Sequence, residues 1–113
     1  MELELASTEG FFRYHLIVGT IIGAELNPKA KKPAYHLTVD FGAYGIKESS
    51  AQLTLRYQES TLIGRQIVGV LNFFPKRIAG VQSEVLVLGA MVTDADVVLL
   101  ALESPVPNGT RIG

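Results

Sequence analysis

The two histidines, His15 and His36, are the first side chains to weigh for chemistry, because imidazole can serve as a base, a metal ligand or a switch near neutral pH. They stand twenty-one residues apart in segments that read as strands, and no carboxylate or second histidine lies at ligand spacing, so neither resembles part of a metal centre. Asp40-Phe41-Gly42 has the form of the magnesium motif of kinases, and Gly42-Ala43-Tyr44-Gly45 has the spacing of a loop that clamps an RNA backbone. A kinase needs a far longer chain and a catalytic-loop Asp. The RNA clamp needs a helix on each side, where this chain reads as strand. A glycine-rich hairpin turn accounts for the same residues. Asp94 and Asp96 sit two apart in Thr93-Asp94-Ala95-Asp96 and read as a solvated turn. There is no GxSxG, Walker, HExxH or dinucleotide pattern. Without cysteine there is also no thiolate, disulfide or Cys-based metal chemistry. The expectation is a protein that is not an enzyme, with no catalytic residue, metal or cofactor.

The basic residues carry more information. The 113-residue chain has 10 Lys plus Arg against 11 Asp plus Glu, a net charge of −1, which excludes a uniformly basic arm and an acidic tail. The distribution is uneven. Between Lys29 and Ser83 stand eight basic side chains (Lys29, Lys31, Lys32, Lys47, Arg56, Arg65, Lys76, Arg77) and three acidic ones, a local charge of +5, and the remainder of the chain carries −6. Lys29, Lys31 and Lys32 fall in one loop and Lys76-Arg77 in another, each beside aromatics or amides (Tyr35, Asn72, Phe73, Phe74). Cations that hold phosphates, set among rings on which bases stack, are the ingredients of a nucleic-acid surface. A solvated charged face is the alternative that composition alone leaves open.

The elements that must position these residues are mostly strands. Residues 15–25 (HLIVGTIIGAE) are rich in β-branched side chains, with Gly19 and Gly23 where a bent strand needs a bulge or a corner. Residues 34–41 alternate Tyr35, Leu37, Val39 and Phe41 against His36, Thr38 and Asp40, a half-buried strand. A short strand around Ile46-Lys47 follows. Residues 50–57 are the best helix candidate, with Leu53 and Tyr57 on one face. Residues 66–74 are apolar on both faces, as in a central strand, until Pro75 stops them. Three further extended runs (77–81, 84–90, 96–102) precede a Pro107-Asn108-Gly109 turn, where Asn-Gly suits hairpin geometry. Residues 1–12 form a lead-in, in which a helical turn within 6–14 would lay Phe11-Phe12 on the core. One domain, 1–113, is expected. The acidic start and the interrupted apolar runs argue against a signal peptide or membrane insertion, and with no cysteine the default address is the cytoplasm. Short strands, one inserted helix and glycines at bends point to a small all-β Greek-key barrel, for which the five-stranded OB architecture, with its helix after the third strand, is the best fit.

Four segments then carry a resemblance: Lys47-Glu48-Ser49-Ser50-Ala51-Gln52-Leu53-Thr54, Leu71 through Gly80 (LNFFPKRIAG), Ser83 through Gly89 (SEVLVLG) and Val106 through Gly113 (VPNGTRIG). In this order they are similar to the CsaA family, a free-standing form of the tRNA-binding domain also appended to methionyl- and phenylalanyl-tRNA synthetases. The resemblance runs from about Phe11 to Gly113. It implies an OB-fold homodimer in the cytosol that binds tRNA or structured RNA, with a chaperone-like role in protein export proposed for some members. Residue by residue, it implies RNA contacts at Lys47, Ser49 and Ser50, at Asn72, Lys76 and Arg77, and at Ser83, to which the charge pattern adds Lys29, Lys31 and Lys32 at the rim. The chain departs from the family pattern at Tyr14-His15-Leu16-Ile17-Val18-Gly19, where a basic residue is usual, and at Asn72-Phe73-Phe74-Pro75, where the family has Asn-Phe-Pro-Pro. A competing expectation is a chaperone that binds unfolded polypeptides in an apolar groove. Its motive is the surplus of large apolar residues (Phe11, Phe12, Phe73, Phe74), which on the plainer alternative fill the core and a dimer interface.

Overall fold

The computed structural model describes all 113 residues. Its centre is an antiparallel sheet of five strands in the order β3-β2-β1-β4-β7: β1 Leu16–Leu26, β2 Tyr35–Asp40, β3 Ile46–Ala51, β4 Gln66–Val70 and β7 Leu86–Val87. Two hairpins are added to it, β5 Lys76–Ile78 with β6 Val81–Ser83, and β8 Gly89–Met91 with β9 Val97–Leu99. The sheet curls until its edges meet. Glu84 N–H donates to Glu48 O at 2.9 Å, and the Ser49 hydroxyl donates to Val85 O at 2.8 Å, which joins β3 to the segment between β6 and β7. The result is the nearly closed five-stranded barrel of an OB fold.

Strand chemistry explains the closure. β1 is long enough to serve two neighbours because its register with β2 shifts between Ile21 and Gly23, a bulge that turns the strand at one of the two glycines expected to mark a bend. The other glycine of β1 has a different use. A Cβ on Gly19 would lie 2.5 Å from the Phe41 ring, and one on Gly69 of β4 would lie 3.0 Å from the same ring, so Phe41 fills the barrel over two positions where only glycine fits. Phe41, Ile17, Ile21, Leu37, Val39 and Leu62 are fully buried, each contributing roughly 1.5–3 kcal/mol. Asp40-Phe41-Gly42 is thus the end of β2 and the start of the β2–β3 hairpin, where Asp40 Oδ1 accepts from Gly42 N–H at 2.9 Å. β4 is buried on both faces, as its composition predicts, but it ends at Val70, short of the expected 66–74, and Asn72, Phe73 and Phe74 are exposed beyond it.

Four expectations need correction. The helix proposed at residues 50–57 is not there. Pairing with β2 carries β3 through Ala51, opposite Tyr35. Residues 53–57 make a single turn closed by Tyr57 N–H to Leu53 O, and the inserted helix is α2, Glu59–Leu62. Tyr57 is held in place instead: its O accepts from the Tyr35 hydroxyl and its hydroxyl accepts from Leu99 N–H. The run 77–81 is not one strand, because Ala79 and Gly80 both take positive φ (47° and 85°) and fold it into the β5–β6 hairpin. At Pro107-Asn108-Gly109 only Gly109 takes positive φ, so the turn is not the primed hairpin type. The 107–113 tail runs beside β1 instead, with Gly109 N–H on Val18 O and Ile112 N–H on Leu16 O. Finally, the lead-in forms the short helix α1, Thr8–Phe11, but it does not lay its rings on the core. Phe11, Phe12, Phe73 and Phe74 are all exposed, and the core is aliphatic apart from Phe41 and Tyr35. No helix is long and apolar enough to cross a membrane.

Candidate nucleic-acid interface

Two loops distant in sequence meet on one surface. The β1–β2 loop, residues 27–34, is built around Asn27, whose Oδ1 accepts from Lys29 N–H at 3.1 Å. The Asn27 amide Nδ2 donates to Ala79 O at 3.1 Å, at the turn of the β5–β6 hairpin. Lys29 lies along the same turn, its Cδ 3.4 Å and its Nζ 3.6 Å from the position a Cβ would take on Gly80. The loop bearing Lys29, Lys31 and Lys32 is therefore fastened to the hairpin bearing Lys76 and Arg77, which sequence reading could hope for but not derive. All five side chains are exposed.

Between this hairpin and β3 lies a groove of about 510 Å³. Ser50, Lys76, Ser83 and Glu84 supply its polar lining, and Phe73, Phe74, Ile78, Val85 and Leu86 its apolar lining. The antiparallel register sets Lys76 opposite Ser83, and strand alternation turns both to the groove while Arg77 and Gln82 face away. Ser83 Oγ accepts from Ser50 N–H at 3.3 Å, fixing the hairpin on β3. Lys47 reaches the edge of the site, with its Nζ 3.9 Å from Glu84 Oε2. Phe74 stands 95% exposed, and Phe73 packs edge-on against Tyr14 with ring centroids 5.7 Å apart.

Of the residues singled out in the sequence, Ser50, Lys76 and Ser83 line one groove, Lys47 lies beside its Glu84, and Lys29, Lys31 and Lys32 stand on the loop fastened to the turn of the same hairpin. Arg77 lies on the reverse face of the same hairpin. Two others are drawn away. Ser49 points into the barrel at 1% exposure with its hydroxyl on Val85 O, so it closes the barrel rather than meeting a ligand. Asn72 clamps the lead-in, its Nδ2 donating to Arg13 O and its Oδ1 accepting from His15 N–H, each at 2.8 Å. Among the other cations of the basic stretch, Arg56 is held bidentately by Asp96 at 2.8 and 2.9 Å, and Arg65 lies over the Tyr57 ring. The hydrogen bond with Arg56 holds the Asp96 carboxyl below its ordinary value and raises the guanidinium above its own. Asp96 is therefore more than a solvated turn residue.

Sequence reading missed two carboxylates. Glu84 lines the groove, and Glu48 lies 2.7 Å from His36 Nε2 on the outer face of β2 and β3, beside Ser50. The signal was present in the alternation that sends His36 and Glu48 outward, but the pairing depends on the hairpin register, which spacing in sequence does not reveal.

Related proteins are recognisable both by sequence and by fold. The family model described as "Putative tRNA binding domain" matches residues 16–111. The chain is 36% identical over 111 residues to a methionine–tRNA ligase of Methanococcus aeolicus, covering 98% of this chain but 16% of the ligase, so it spans about a sixth of the length of that curated relative. Among solved structures, the chaperone CsaA from Bacillus anthracis superposes with a TM-score of 0.93 at 50% identity, covering 97% of this chain and 100% of that one. A methionyl-tRNA-synthetase-related protein from Pyrococcus horikoshii gives 0.87 at 28% identity, covering 98% and 100%. With the family model spanning nearly the whole barrel and the CsaA structure matched end to end, the chain belongs to the tRNA-binding domain family, as a member of its CsaA group.

Proposed function

We propose that this protein binds tRNA, or a comparably folded RNA, through the surface where the 27–34 loop meets the β5–β6 hairpin, in a binding role without catalysis. The observation that carries the reading is the Asn27–Ala79 hydrogen bond with Lys29 against Gly80, which brings the cations of two separate stretches to one loop-and-hairpin surface. Lys29, Lys31, Lys32, Lys76 and Arg77 neutralise phosphates, Lys47 supports the edge, and the Ser50 and Ser83 hydroxyls meet sugar or base. The whole chain, 1–113, acts as one unit in the cytoplasm. It works as a homodimer, whose two-fold symmetry doubles the basic surface and suits a folded RNA read by shape.

Five phosphate contacts, with Arg77 making its own from the reverse face of the hairpin, give a slope of log affinity on log salt of about −4.5, a loss of roughly 500-fold between 50 and 200 mM. Fluorescence anisotropy on a tRNA transcript and on a plain duplex of equal length tests this. Tighter binding of the tRNA with a steep slope is expected; a flat slope, or equal affinity for the duplex, refutes the reading.

A second reading is a chaperone for unfolded polypeptides, including clients of the export machinery. It is supported by the exposure of Phe11, Phe12, Tyr14, Phe73 and Phe74 and by the two CsaA chaperones, from Bacillus anthracis and Picrophilus torridus, whose structures this chain matches. Suppression of client aggregation that persists at salt concentrations abolishing RNA binding would favour this second role.

A further inference from the structure

We infer that the groove beside β3 holds a single unstacked guanine base of the bound RNA, with Phe74 as its stacking face and Glu84 as the residue that selects it. This rests on the RNA-binding reading above and gives that site a base preference. A folded RNA presents unpaired bases in its loops, and proteins take such bases by stacking and by hydrogen bonds to an exposed base edge. The groove's volume of about 510 Å³ lies in the range of about 300–1,000 Å³ typical of small-molecule pockets, a scale suited to one nucleotide. Its lining divides by chemistry. Phe74 offers an aromatic face that is 95% exposed, which in water is an unfavourable state for a ring unless something covers it. Lys76 stands on the same wall as a phosphate contact.

The remaining polar groups choose among the bases. The one cation within 4 Å of the Glu84 carboxylate is Lys47, at 3.9 Å, which is beyond hydrogen-bond length, so the carboxylate oxygens keep their lone pairs for a ligand. Ser83 Oγ already accepts from Ser50 N–H, which leaves its own proton to donate. A carboxylate that accepts one hydrogen bond on each oxygen, with a hydroxyl donor beside it, is complementary to the Watson–Crick edge of guanine, which presents N1–H and N2–H to the two oxygens and O6 to the hydroxyl. Adenine and cytosine offer a carboxylate one amine donor next to an unprotonated ring nitrogen, and uracil offers one N–H between two carbonyls, so none of the three gives both oxygens a donor. The second oxygen then faces an acceptor lone pair, so Glu84 discriminates by rejection as well as by bonding.

The test uses the intact protein and eight-nucleotide oligouridylates carrying one central guanosine, inosine, adenosine or abasic residue, read by anisotropy at fixed salt. Guanosine should bind at least about fivefold more tightly than inosine, which lacks the N2 amine, and than adenosine, a ratio at the lower edge of a bidentate base contact. Glu84→Gln should bring the guanosine preference below twofold. Phe74→Ala should weaken the guanosine oligonucleotide at least about fivefold relative to the abasic one. Equal binding of guanosine and inosine by the natural protein overturns the inference, as does a preference that survives Glu84→Gln. Displacement of the guanosine oligonucleotide by reduced, carboxymethylated α-lactalbumin at lower concentration than by the oligonucleotide itself also overturns it, assigning the groove to polypeptide. A tRNA transcript that binds with a steep salt slope while no base preference appears removes this inference alone; loss of tRNA binding itself removes the functional reading beneath it.

Discussion

Ser49 and Ser50 are adjacent in one motif, and their substitution by alanine should have opposite consequences. The Ser49 hydroxyl is buried at 1% exposure and donates to Val85 O at 2.8 Å. No backbone N–H bonds that carbonyl, so Ser49→Ala strands a buried acceptor on the seam where β3 closes the barrel. The cost of an unsatisfied buried group is roughly 1–3 kcal/mol. For a domain of this length each kcal/mol corresponds to about 4 °C, so the midpoint of thermal unfolding should fall by about 4–12 °C. Ser50 alternates to the outside, where only its backbone N–H is engaged within the protein. Ser50→Ala should shift the midpoint by less than about 2 °C, as surface substitutions do, and should register in RNA affinity instead. Circular dichroism melts give the first quantity, and anisotropy at a temperature where both variants are fully folded gives the second. A Ser49→Ala protein that melts within 2 °C of the natural one would refute the role given to the seam. If that variant were fully folded and yet weak in RNA binding, Ser49 would have to be placed on the ligand face after all.

Three further outcomes follow from the same geometry. Lys76→Ala with Arg77→Ala should flatten the salt slope by about 1.8, whereas Arg56→Ala should leave it unchanged because that guanidinium is committed to Asp96; salt titrations showing the reverse would contradict the charge assignment. Asp96 is held below its ordinary value of 3.8 by Arg56, so its contribution to stability is fully present above pH 3.8 and is lost as pH falls through the lower folded value. The difference in urea midpoint between the natural protein and Asp96→Asn should therefore be larger at pH 6 than at pH 2.5, and a difference that grows on acidification would reverse the sign. Gly69→Ala places a Cβ 2.5 Å from Val85 Cγ1 and 3.0 Å from the Phe41 ring, an overpacking worth about 1–3 kcal/mol; adding Val85→Ala should recover part of the loss, and strict additivity in a double-mutant cycle would show that the two do not touch.

The strands were legible because their burial is decided locally. β2 repeats its alternation over Tyr35, Leu37 and Val39, and no register other than the observed one buries all three. β4 was legible as a central strand because both of its faces are apolar. What stayed hidden depends on contacts between distant segments. The inserted helix was misplaced because residues 50–51 gain more from completing β3 opposite Tyr35 and His36 than from starting a helix. The β5–β6 turn was missed because it places a non-glycine residue, Ala79, at positive φ, for which sequence gives no warning. Hydrophobicity alone does not say whether a ring is covered by its own chain, so for Phe11, Phe12, Phe73 and Phe74 sequence leaves core, dimer interface and exposed groove all open, and the structure exposes all four. At the site, the type and rough location of the cations were legible, but their gathering rests on one amide, Asn27, bonding a carbonyl fifty-two residues away.

The site is not purely basic, and that fact sharpens the argument about its partner. Of the eight cations in the central stretch, Arg56 is neutralised by Asp96 and Arg65 lies over Tyr57, while the other six lie on or around the surface formed by β3, the β5–β6 hairpin and the attached loop. Two carboxylates share that surface: Glu84 in the groove, and Glu48 paired with His36 beside it. A surface that bound polyanions without selection would gain from replacing both, since each carboxylate repels phosphate and lowers the affinity that counterion release supplies. Acidic groups placed against aromatic and hydroxyl neighbours among so many cations instead raise the cost of a wrong fit more than that of a right one. The near-neutral whole thus carries a confined group of cations beside the carboxylate proposed to read a base, an arrangement suited to holding a folded RNA at its backbone while testing one exposed base.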